Sequence, residues 1–140
     1  MNIECRIMND ECRIMDKPKT GGRIYDLENR LIEFAVLIIA ICENLPRSKA
    51  GSHLSGQLIR SGTSPALNYG EAQSAESRAD FIHKIKIILK ELRESRISLI
   101  IIERTSLADN PPLIENAIND CNELISIFRK SAETAQKNMG

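Results

Sequence analysis

Gln57, Arg60, Ser64, Asn68 and Glu71 follow one another at steps of three, four, four and three. On an α-helix, at about 100° per residue, they share an arc of roughly 80°. A guanidinium, a carboxylate, a hydroxyl and two amides on one stripe can bond one another, a neighbouring helix or a ligand. A partly buried Arg60 requires Glu71 or another carboxylate as partner. No histidine or cysteine joins the stripe, so it lacks the usual groups for proton transfer or nucleophilic attack. The stripe reads first as a packing and specificity network, with a ligand or partner site as the second reading. The chain is expected not to be an enzyme.

A second set carries charge. Lys86, Lys90, Arg93 and Arg104 fall on one side of a helix whose other side bears Phe81, Ile88, Leu92 and Leu99. Cations so arranged can contact nucleic-acid phosphates. The alternatives are a solvated face, or pairing with the acidic first helix of a neighbouring copy. From Ser77 to Leu107 there are seven Lys/Arg against four Asp/Glu, a net +3, whereas Asp26 to Asn44 has one against four, a net −3. Over the whole chain Lys+Arg and Asp+Glu both count 19, which excludes a globally basic binder but not a local basic face.

The remaining reactive residues form no site. His53 and His83 lack a second ligand at helical spacing, and the cysteines at 5, 12, 42 and 121 form no paired motif, so neither a metal nor a cofactor is expected. Cys42 and Cys121 lie near apolar seams and read as small buried hydrophobes. Gly21-Gly22 is a linker rather than a phosphate cradle.

A chain of 140 residues suffices for one domain with one core, and aromatics at 4% argue against an aromatic-rich β-sandwich. Leu27, Leu31, Phe34, Ile38, Ile41 and Leu45 recur at helical steps, as do Phe81 to Ile102 and Ile114 to Ala132. Asn110 followed by Pro111 marks a helix start. Between Ser48 and Glu76 the glycines and Pro65 weaken the pattern, yet Leu54, Leu58, Ala66, Tyr69 and Ala72 keep the rhythm, which predicts a helix kinked near Pro65 whose small residues allow close packing. The expected fold is all-α: an antiparallel up-down-up-down four-helix bundle over residues 24–138, with helices near 25–44, 50–76, 78–107 and 111–137. Residues 1–23 read as a flexible tail in which Glu4-Cys5-Arg6-Ile7-Met8 is repeated as Glu11-Cys12-Arg13-Ile14-Met15. No apolar run reaches the length of a membrane span and no signal core is evident, so a reduced cytoplasmic compartment, away from membranes, is expected.

Two helices are apolar on two sides. Ile32, Val36 and Ile39 lie well away from the seam of the first helix, and Ile97, Ile100 and Ile101 sit nearly opposite the Phe81/Leu92/Leu99 face. A helix of that kind is usually covered on both sides. These six residues predict a homo-oligomer interface.

The run Gln57-Leu58-Ile59-Arg60-Ser61-Gly62-Thr63-Ser64-Pro65-Ala66-Leu67-Asn68-Tyr69-Gly70-Glu71-Ala72 resembles the signature of the intervening-sequence proteins, some of which are encoded within inserts in bacterial large-subunit ribosomal RNA genes. Ala79 to Lys84 and Leu89 to Ser95 continue the likeness, which covers roughly residues 24 to 130. The resemblance implies a four-helix bundle and a homopentamer. In one branch it implies an accessory protein of diversity-generating retroelements, with a reverse transcriptase and RNA or DNA as partners. It implies no enzymatic activity.

Overall fold

Four helices make up the computed structural model, which describes residues 26–139. They are α1 (Leu27–Glu43), α2 (Lys49–Gln73), α3 (Arg78–Arg104) and α4 (Pro111–Met139), with no strand among the described residues. The first three begin at side-chain caps: Asp26, Ser48 and Ser77 have extended backbone and accept the N–H of Asn29, Gly51 and Asp80. Asn110 does the same for Leu113 at 3.3 Å, one residue before Pro111, as its sequence position predicts. The observed ends lie within three residues of the expected ones. The largest differences are at the C-termini of α2 and α3. α3 stops at Arg104 because Ser106 turns into the left-handed region (φ 55°), which lets Leu107 N–H bond the carbonyl of Ile102 and Ser106 N–H that of Glu103.

Short connections make sequential helices antiparallel neighbours. α1 packs on α2, α2 on α3 and α3 on α4, while a lesser contact between α1 and α4 closes the bundle. Leu31, Phe34 and Ile38 of α1, Leu58 of α2, Ile85, Ile88, Leu92 and Leu99 of α3, and Phe128 of α4 are fully buried between them. Tyr69 and Phe128 meet edge to face with centroids 5.9 Å apart. Across the thinner α1–α4 seam, Arg30 reaches Asp120 and Glu123.

α2 continues helically on both sides of Pro65, whose ring is buried and whose missing N–H removes one internal bond. Of its glycines, Gly62 marks the close approach to α1, since a Cβ there would stand 2.7 Å from Cγ2 of Ile38. Gly51 lies similarly against the carbonyl of Pro46. Gly56 and Gly70 have open space around them, so the expected close packing is confined to part of the helix. The tail and its duplicated segment, residues 1–23, lie outside the described residues. Among the described residues no helix is long and apolar enough to cross a membrane.

The glycines give a matched test of this packing. Gly62→Ala is expected to destabilise the fold by about 1–3 kcal/mol through overpacking. Gly70→Ala, with free space and better helix propensity, is expected to stabilise it by about 0.5–1 kcal/mol. Thermal denaturation followed by circular dichroism measures both. Equal shifts in the same direction contradict the α1–α2 approach.

Candidate functional site

The polar stripe of α2 turns toward α3 and divides into three uses. Arg60 places its two terminal nitrogens 3.5 Å from Oε2 of Glu91 and 3.6 Å from Oε1 of Glu94. Glu71, the partner named first from sequence, instead accepts from Lys84 at 2.6 Å, a bond that raises the Lys84 ammonium above its ordinary value. Asn68 turns back on its own helix, donating to the carbonyl and the hydroxyl of Ser64 at 3.0 and 2.8 Å. Gln57 is exposed at the end of the stripe. Beneath it Ser95 of α3 donates to the hydroxyl of Ser61 at 2.9 Å, both side chains being buried.

Glu91 is the unusual member of this seam. Its residue is only 7% exposed, and Oε1 has no hydrogen-bond partner among the described residues. Its counter-charge, Arg60, is itself largely in solvent. A buried carboxylate carries a large desolvation cost, so even a loose pairing contributes by preventing an isolated charge.

On the other side of α3 lies a groove against α4. A shallow cavity of about 400 Å³ is lined by Lys86, Lys90 and Arg93 of α3 and by Arg129 and Glu133 of α4, over a floor that includes Leu89. It adjoins a second, of about 360 Å³, through the shared Arg93, where Arg96 is held by Asn122 at 2.9 Å. Lys86, Lys90, Arg93 and Arg129 are exposed and form no ion pair with any described residue. Four cations against one carboxylate leave the groove electropositive. Arg104 does not join it: eleven residues beyond Arg93, it stands about 16 Å further along α3. Arg129 was missed from sequence because only the α3–α4 register brings it beside the stripe.

Neither thiol adds reactivity. Burial, with Glu43 a lesser cause, pushes Cys42 up to about 11, and burial with Asp120 pushes Cys121 to about 12 against the opposing effect of Arg96. Both remain neutral thiols at physiological pH, and Cys121 donates to the carbonyl of Leu92 at 3.1 Å. His53 and His83 are exposed. Among the described residues no three His, Cys, Asp or Glu side chains gather as metal ligands.

The outer faces carry the remaining expected residues. Ile32, Val36, Ile39, Ile97 and Ile101 are exposed, with Val36 at 62%. Ile100 is half-buried, turned from Ile97 and Ile101 toward the α4 side, and so departs from the expected exposed set. Leu67, at 68%, is an exposed apolar residue that the periodicity did not single out.

An all-α bundle with a polar α2–α3 seam and a basic α3–α4 groove is thus the class of protein at hand. The model of the 23S rRNA-intervening sequence protein family matches residues 25–130, and the chain belongs to that family. Among solved structures it is similar to a protein of unknown function of the S23 ribosomal protein family from Bacteroides thetaiotaomicron VPI-5482. The two are 35% identical, with a TM-score of 0.68, over 74% of this chain and 94% of that one. No curated protein matches it.

The seam can be tested by charge removal. Arg60→Ala is expected to cost about 1–3 kcal/mol by leaving Glu91 unpaired, and adding Glu91→Leu should recover most of that loss. Denaturant unfolding of the double-mutant cycle reads the coupling, and additive losses contradict the pairing.

Proposed function

We propose that the protein is a non-catalytic, homo-oligomeric bundle that binds RNA or DNA, or a partner that processes nucleic acid, through the groove between α3 and α4. The observation that carries this reading is the convergence of Lys86, Lys90, Arg93 and Arg129 along one groove with a single opposing carboxylate, Glu133. Such a row of unpaired cations suits a polyanion backbone, whose binding draws on the release of condensed counterions. The family resemblance further favours a ring of five and, in one branch, a reverse transcriptase as partner. We place its action in the cytoplasm, where the buried thiols stay reduced.

A second reading has its own support. The exposed Ile32, Val36, Ile39, Ile97 and Ile101 suit a structural or protein-interaction oligomer with no role in nucleic-acid binding.

Fluorescence anisotropy with labelled duplex RNA and DNA separates the two readings. Binding should weaken steeply with salt, and joint reversal of Lys86, Arg93 and Arg129 to Glu should lower the log–log salt slope by roughly two to three. A slope unmoved by the reversals removes the groove from the binding site. Absence of binding even at low salt favours the second reading.

A further inference from the structure

Two faces of the bundle that no other described residue covers match each other in charge and length. The outer side of α1 presents Glu28, Ile32, Val36, Ile39 and Glu43 at steps of four, four, three and four, within an arc of roughly 80°. It is an apolar centre with a carboxylate at each end. On the outer side of α3, Lys90 and Arg104 bracket Ile97 and Ile101 within roughly 60°. The two carboxylates stand about 22 Å apart along their axis and the two cations about 21 Å apart along theirs, from the rise of ~1.5 Å per residue. All four charged residues are exposed and form no ion pair with any described residue. Glu43 is the last residue of α1, a position where the helix dipole disfavours a negative charge and where α1 has no basic residue to offset it.

Resting on the oligomer reading above, we infer that the outer face of α1 in one copy docks on the outer face of α3 in the next. Pairing like with like would set Glu28 and Glu43 against carboxylates, or Lys90 and Arg104 against cations. Only the crossed pairing places apolar centre on apolar centre and opposite charges at both ends. α1 and α3 occupy opposite corners of the bundle, each flanked by α2 and α4. Every copy therefore offers one donor face and one acceptor face, the arrangement that builds rings or open chains rather than two-fold dimers. Lys90 and Ile97 also line the α3–α4 groove, so the contact covers the α3 edge of the groove, and Arg93, Arg129 and Glu133 stay on its α4 side.

Complementation of two face variants tests this, using the full chain and light scattering, with circular dichroism as the check on folding. Val36→Lys disables the α1 face and Ile97→Lys the α3 face, both at exposed positions that a folded bundle tolerates. Each variant alone should be a monomer of 15.7 kDa. An equimolar mixture should form a species of twice that mass and no larger, held by the one intact face from each. Reversing Glu28 and Glu43 to Lys should break the wild-type assembly, and adding Lys90→Glu and Arg104→Glu to the same chain should restore it. A wild-type assembly whose single variants still dimerise, or whose mixture stays monomeric, overturns the crossed pairing and leaves the oligomer reading standing. A monomeric wild-type chain overturns both.

Discussion

α2 must lie close to two neighbours at once, and the architecture depends on how consecutive residues meet that demand. Gly62 gives up its side chain so that Ile38 of α1 can sit against the backbone. Ser61, one residue earlier, faces α3 and pairs its hydroxyl with that of Ser95. A larger residue at either position forces one interface apart, and interior packing tolerates little such change. With α2 held on both sides, Arg60 falls beside Glu91 and Glu94, and Glu71 beside Lys84.

This division of labour separates inside from outside. The residues that define the sequence signature are spent inside the bundle, since Ser64 and Asn68 close on each other along α2 and Arg60 and Glu71 pair across to α3. The exposed apolar and basic patches lie on α1, α3 and α4, with Leu67 of α2 a lone exposed apolar residue. α3 presents three sides: its core side faces the bundle, one shoulder supplies Lys86 and Arg93 to the groove, and its outer side carries the exposed Ile97 and Ile101.

Much of the fold was legible in the sequence because helical periodicity and end signals are local. The spacing of Leu27 to Leu45 and the Asn110–Pro111 start depend on nothing outside their own segments. Choice of partner was not legible in the same way. Glu71 stands eleven residues, about 16 Å, beyond Arg60 on the same helix and cannot reach it, and the relative height of α2 and α3 selects Glu91 and Glu94 instead. Arg129 joins Lys86 for the same kind of reason, through the register of α4. Ile100 misled because its angular position lies between core and surface, where a small rotation of the helix decides exposure.

The central claim, that α1 of one copy meets α3 of another, has a direct covalent readout. Val36→Cys and Ile97→Cys are introduced into separate chains with Cys5 and Cys12 replaced by Ser, leaving only the buried Cys42 and Cys121 besides the probes. Under mild oxidation the account expects a disulfide-linked dimer only when the two chains are mixed. Cross-linking of either variant with itself, and not with the other, contradicts it.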